Sequence, residues 1–439
     1  MTVPSRARPV PPAPPAPAGC PGSVPGPSRE PLAYPFWTTA GLGLPEGYRQ
    51  LRDRPPVRVR LPYGDEAWLA TSYDDVRAVL SDPRLSLAEA VRRDQPRIGP
   101  MPRAGGGLIA LDAPHHTRLR ALLAKEFTAR RIERLRGHVR EVTDGLLDRM
   151  VAAGPPADLV EDLAFPLPMT LICELTGVPD ADQPAVRAWA DTVCSGSVTP
   201  EAVQRHAEDF FTRMHGWIEA RRRTPADDLI TVLVRARDEG ALTTDELTGL
   251  LNEILIGGFV TTTNQIANFF AVLLLPREAG AHGTAGADGA DGTDGVDVLA
   301  AVRARPELVP RAVEELLRLV PLLNGLTLPR YAAEDVEVGG VLIRAGEPVV
   351  VSQAAANHDP AAFPEPGRIR LDRPGTPHIS FGHGIHYCLG AHLARLELQT
   401  TLERVTARMP GLRLAVPEAE LRWRSKEFFS GLRSLPVAW

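Results

Sequence analysis

The chain has 439 residues, 44% of them hydrophobic, and a formal net charge of -5; this is enough to enclose a large cofactor in one domain or to form several small domains. The acidic balance argues against nucleic acid as a partner, and no apolar run approaches the roughly 18 to 20 residues that cross a bilayer. Four cysteines without paired spacing exclude a disulfide framework and a zinc-type cluster. Arg6 and Arg8 have no apolar core behind them, so no secretory signal is read and the expected location is cytoplasmic.

Residues 1–33 are dense in Pro, Gly and Ala, with too few large apolar side chains to offset the entropy of ordering them. They are expected to be disordered, with one domain over 34–439. A short helix is predicted over 46–53, then strands over 57–61 and 67–72 around the turn Pro62-Tyr63-Gly64-Asp65, and a helix over 74–80. Residues 85–108 mix Arg, Pro and Gly without a steady period and read as a long loop with room for one short helix. From 114 to about 152 the pattern is helical and rich in arginine. Further helices are predicted over 159–176, 180–195, 202–223 and 227–239, with Pro179 and Pro225 as punctuation. The helix predicted over 244–275 is unusually long and apolar, which places it at the centre of the fold. Residues 279–295 alternate Gly, Ala, Asp and Thr and read as a low-complexity surface loop. The helical pattern resumes at Val298. Strands follow over 336–338, 341–343 and 348–352, and a helix over 391–408. With no domain-length repeat and no linker between two cores, the predicted class is mainly α with a smaller β portion.

The chemistry concentrates in the stretch Phe381-Gly382-His383-Gly384-Ile385-His386-Tyr387-Cys388-Leu389-Gly390. Its glycines make a loop that takes positive φ and lets a flat object approach the backbone, and helix formers follow from Ala391. Cys388 therefore sits at a loop-to-helix junction, where unpaired N–H groups favour thiolate, the form that ligates metal. A lone cysteine is usually an ordinary buried small hydrophobe. Here the neighbours decide otherwise. Phe381, Gly382, Gly384, His386, Cys388 and Gly390 fill every fixed position of the haem-binding loop of the cytochrome P450 family, which this region closely resembles. The resemblance implies the cytochrome P450 fold around haem b, Cys388 as axial ligand to the iron, Phe381 beside the sulfur and His386 at a haem propionate. A thiolate on haem iron pushes electron density to the metal and favours O–O cleavage.

Further segments resemble the same family. In Asp112-Ala113-Pro114-His115-His116-Thr117-Arg118-Leu119-Arg120, His116 and Arg120 lie four apart on one helical face. The resemblance implies that they, with Arg330 and His386, contact the propionates. Glu315 and Arg318 lie three apart, and Phe363 to Arg368 resembles the segment whose arginine completes a Glu-Arg-Arg brace, implying a structural network of Glu315, Arg318 and Arg368. Gly257-Gly258-Phe259-Val260-Thr261-Thr262 falls inside the long helix, where paired glycines cost roughly 1 kcal/mol each relative to Ala and call for a reason. The resemblance supplies an oxygen groove at Gly258, with Thr261 and Thr262 as candidate catalytic hydroxyls. Val260 stands where the family has an acid, which leaves proton delivery to water, Thr261, Thr262, Asn264 or the substrate.

The implied activity is that of a soluble bacterial monooxygenase of actinobacterial type, oxidising a small-molecule specialised metabolite with O2. Oxidative coupling is the alternative, and a non-catalytic haem sensor or electron carrier the reading of another class. Arg118, Lys125, Arg130, Arg131 and Arg395 are expected to form a basic face for an acidic ferredoxin, itself reduced by a ferredoxin reductase with NAD(P)H. Residues expected to line the substrate pocket are 85–108, 190–215, Phe259, Val260, 323–326 and Phe428–Phe429.

Overall fold

Strands Leu32–Ala33 (β1), Val57–Arg60 (β2), Glu66–Ala70 (β3), Leu85–Ser86 (β4), Arg330–Ala332 (β5) and Pro348–Val351 (β6) make one sheet in the order β1-β2-β3-β6-β5-β4. The computed structural model describes residues 30–36, 41–93, 95–98, 107–194, 198–275, 297–323, 328–424 and 428–439. Residues 1–29, the predicted 279–295 loop and the pocket positions 94, 99–106, 195–197 and 324–326 lie outside the described residues. Pro31–Trp439 forms one compact unit.

The predicted hairpin forms. β2 and β3 pair antiparallel, with Val57 opposite Leu69 and Arg60 opposite Glu66. β3 then pairs in parallel with β6, which carries β5 antiparallel, and β4 closes the edge against β5. That order matters for function, because it brings Arg330 beside Leu85 and Ser86, residues read from sequence as loop. Their neighbours Ala88–Arg93 form a helix in the same stretch.

Six helices position the site: His115–Ala124 (α1), Pro166–Thr176 (α2), Gln183–Cys194 (α3), Thr244–Leu274 (α4), Val309–Leu319 (α5) and Ala391–Arg408 (α6). The helix predicted over 114–152 breaks into three, because Thr128 accepts the Arg131 N–H and starts a new helix behind buried Phe127. The helix predicted from 159 opens with a π-turn over Val160–Ala164, whose Phe165 N–H reaches Val160 C=O at 2.8 Å. Pro166 and Pro168 have no N–H to sustain the regular ladder there. α4 matches its prediction almost to the residue. Thr243 and Glu246 cap its start reciprocally, and its buried residues, Leu247 to Ala271, run through the main core shared with α2 and α6.

Candidate active site

The cysteine loop is held by its own backbone. Gly382 and Gly384 take φ of +80° and +72°, and a Cβ on Gly384 would fall 2.6 Å from the Leu80 carbonyl oxygen, so only glycine fits there. The Cys388 N–H donates to Phe381 C=O at 2.8 Å, turning the loop back on itself. Phe381 then packs near Tyr387 and under the Arg395 guanidinium, 4.5 Å from its ring centre.

The Cys388 side chain is exposed, yet desolvation raises its thiol pKa. Together these describe the wall of a cleft, open to solvent on one side and crowded by protein on the others. The Gly390 N–H and the charges of Arg120 and Arg395 oppose the rise without cancelling it. A Cβ on Gly390 would meet nothing within 4 Å, so the backbone beside the sulfur also faces open space.

Next to this wall is a cluster of bases. His116, 1% exposed, lies with its ring centre 4.3 Å from that of His386. Both ring nitrogens of His116 and Nε2 of His386 are buried without a hydrogen-bond partner among the described residues. Arg120 donates to Tyr387 C=O at 2.6 Å, and buried Arg330 donates to Leu85 C=O at 3.3 Å. Burial lowers the basicity of all four, His386 to about 3 and Arg330 to about 10. Asp112 is the acid nearby, but its carboxylate is occupied by the Ser86 hydroxyl and the Leu87 N–H. Four desolvated basic groups, two of them imidazoles with orphaned nitrogens, are what a buried dianion would satisfy.

On α4, Gly257 is exposed and Thr261 half-buried. The Thr261 hydroxyl donates to Gly257 C=O at 2.8 Å. Gly258 does otherwise than expected. A Cβ there would fall 2.5 Å from Ile172 Cγ1 of α2, so its missing side chain is a packing notch, and the open groove lies at Gly257. Thr262 is 4% exposed and turned from the cleft, and the Asn264 amide is committed to Val260 C=O at 2.7 Å. Phe259 packs edge-on to Phe165 in the core rather than lining the pocket.

The family model for cytochrome P450 matches residues 198–408. A mycinamicin IV hydroxylase/epoxidase from Micromonospora griseorubida is 46% identical over 94% of this chain and 100% of its own. A nocardicin C N-oxygenase from Nocardia uniformis subsp. tsuyamanensis is 43% identical over 93% and 98%. Among solved structures, cytochrome P450mel 107F1, with biaryl coupling reactivity, superposes with a TM-score of 0.82 at 39% identity, over 91% of this chain and 97% of that one. The chain belongs to the cytochrome P450 family.

As a cytochrome P450 it is an oxygen-using, haem-thiolate oxidoreductase. The residues present fit that cofactor, since the orphaned imidazoles and the cationic pair lie beside Cys388, where a carboxylate-bearing porphyrin needs them.

The bracing network of this P450 departs from the sequence reading at one position. Arg318 makes a bidentate pair with Glu315 at 2.9 and 2.8 Å and donates to the carbonyls of Asn357, Pro366 and Arg368. The third member is Arg373, whose Nε lies 3.1 Å from both Glu315 oxygens. Arg368 contributes its carbonyl, while its half-exposed side chain pairs with Glu365 at 2.7 Å. The chain turns back after Pro366, and the arginine that meets Glu315 is the one beyond the turn.

The basic face is thinner than the sequence implies. Arg118 is paired with Glu246, Arg131 with Glu126 and Arg395 with Glu314. Lys125 and Arg130 remain exposed, with Ile385 and Tyr387 on the cysteine loop. Among the described residues no helix is long and apolar enough to cross a membrane.

Proposed function

We propose that Cys388 is the axial ligand of haem b, that His116, Arg120, Arg330 and His386 hold its propionates, and that the enzyme oxidises a small-molecule specialised metabolite. The observation that carries the site assignment is the pairing of an open thiol with four desolvated bases on one cleft. When bound, haem with a thiolate ligand supplies reductive activation of dioxygen.

The chain's own residues set the rest. Gly257 leaves backbone open to the cleft, and the Thr261 hydroxyl, whose hydrogen is held by Gly257 C=O, keeps lone pairs free to accept from water or substrate. Val260 offers no exchangeable proton, Thr262 is buried, and Asn264 Nδ2 gives one N–H to the Val260 carbonyl of the same helix. Protons therefore pass through water ordered by Thr261, or from a polar group of the substrate. The same gap in the acid position supports a second reading, oxidative coupling, as in the relative with biaryl coupling reactivity. Hydroxylases and N-oxygenases acting on specialised metabolites among the relatives support oxygen insertion as the first.

Electrons come from a ferredoxin and its reductase in the cytoplasm, with exposed Lys125 and Arg130 supplying positive charge and exposed Ile385 and Tyr387 supplying contact surface for docking. The catalytic domain begins at Pro31 rather than at the expected residue 34, because Leu32 and Ala33 of β1 pair with Val59 and Arg60 of β2 and so belong to its sheet. The function is tested by incubating the haem-loaded enzyme with a ferredoxin system, NAD(P)H and a metabolite panel. A product gaining one oxygen atom supports hydroxylation, and a dimer or ring lacking two hydrogens supports coupling. Ligand-independent electron uptake with no oxidised product would overturn both.

A further inference from the structure

Glu253, Gly257 and Thr261 follow one another at intervals of four on α4 and share one face, Glu253 about 12 Å along the axis from Thr261. The Glu253 carboxyl accepts the Ile109 N–H at 3.3 Å and the Leu108 N–H as well. At Gly107, a Cβ would fall 2.0 Å from Glu253 Cδ, so the carboxyl lies directly against this stretch of backbone. Burial in this contact raises the Glu253 pKa to about 7.

The gripped turn, Leu108–Ala110, leads directly to Asp112, which is tied to Ser86 and Leu87, and then to α1 with His116 and Arg120. One end of the turn is thus fixed to the base cluster and the other to α4. Between them Ile109 keeps 54% of its surface exposed. The residue next to Glu253, Asn252, accepts the Trp189 indole N–H of α3 at 2.8 Å, so α4 also holds a second neighbouring element at the same level.

We infer that Glu253 is a positioning residue for substrate recognition, fixing the Leu108–Ala110 turn as one wall of the cleft so that Ile109 offers its apolar surface to the substrate. The inference rests on the haem-cleft reading above. Because the grip is on backbone N–H groups, it sets where the wall stands, and the side chains on the wall set what it prefers. The deciding comparison uses haem-loaded full-length protein, with Glu253→Ala and Glu253→Gln, and two iron-binding probes: imidazole, which needs little room, and clotrimazole, which must touch the walls.

In Glu253→Ala, amide hydrogen exchange at Leu108 and Ile109 is expected to rise about tenfold or more, the equivalent of one charge-assisted hydrogen bond. Clotrimazole affinity should fall about fivefold while imidazole affinity stays within about twofold, a split that a general loss of structure would not give. Glu253→Gln keeps one acceptor oxygen and should fall between, and it decides if the alanine variant does not fold. Unchanged exchange at those amides, or equal shifts for both probes, would overturn the role of Glu253. Failure of wild-type protein to bind imidazole with a spectral shift would instead overturn the cleft reading beneath it.

Discussion

Arg373 places its Nε 3.1 Å from both carboxylate oxygens of Glu315, in a pocket where both side chains are under a tenth exposed. Arg370 adds its backbone N–H to Glu315 at 3.0 Å, and Arg318 reaches back to three carbonyls of the following segment. One buried carboxylate thus ties α5 to the chain over 357–373. Arg373→Ala should destabilise the haem-loaded protein by about 3 kcal/mol, the lower end for a broken buried pair because Arg318 still partners Glu315. Arg368→Ala, at a half-exposed pair, should cost within about 0.5 kcal/mol. Urea unfolding of the two variants checks the order, and equal losses would contradict it.

The adjacent glycines of α4 should behave oppositely. Gly258→Ala drives a methyl into Ile172 and should cost about 1 to 3 kcal/mol as an overpacked core. Gly257→Ala meets no neighbour and gains helix propensity of about 0.5 to 1 kcal/mol, while narrowing the open groove. Thermal unfolding gives the sign for each.

Thr261→Ala removes the hydroxyl held on Gly257 C=O, and with Val260 beside it no exchangeable side-chain proton remains on that turn of the cleft face. Product formed per NAD(P)H should fall about tenfold or more, with the difference appearing as peroxide, since positioned proton transfer contributes about a hundredfold or more. The ratio of peroxide to product measures it. An unchanged ratio means that protons bypass Thr261.

Glu253 has a pH signature of its own. Its pKa rises from 4.5 to about 7 in the folded protein, so between those values the folded state keeps a proton that the unfolded chain releases. Stability contributed at this site therefore falls as pH climbs from about 4.5 to about 7, by about 3 kcal/mol in all, and is level above. Glu253→Gln has no such proton. Its stability relative to wild type should rise across that window, read from urea midpoints at several pH values, and a flat difference would contradict the burial of this acid.

Much of this was legible in the chain because it is local. Cys388 with its glycines, and His116 with Arg120, stand out because short contiguous motifs resemble the family's, while the length of α4 and the hairpin partners β2 and β3 follow from periodicity and turn chemistry within short windows. What escaped depends on where distant segments meet. Arg373 and Arg368 have the same side chain, and the turn after Pro366 alone decides which of them reaches Glu315. Gly257 and Gly258 are equivalent in sequence, and Ile172, far away on α2, separates their roles. Leu85–Ser86 is too short to carry a strand pattern and becomes a strand only because Tyr331 and Ala332 offer an edge. Glu253 reads as one more acid on a helix until Gly107 is folded against it.

The propionate reading predicts that Arg120→Ala and Arg330→Ala each weaken haem retention about tenfold or more, because each removes a charge-assisted hydrogen bond worth about 1.5 to 3 kcal/mol. The rate of haem transfer to apomyoglobin reports it, and wild-type rates in both variants would place the propionates elsewhere.

The most direct test of the whole account is the absorption spectrum of the purified, reduced protein under carbon monoxide, for wild type and Cys388→Ser. The account predicts the red-displaced Soret band of a sulfur-ligated haem in wild type and its loss in the variant. Folded wild-type protein without that band, or a serine variant that keeps it, would contradict the assignment of Cys388.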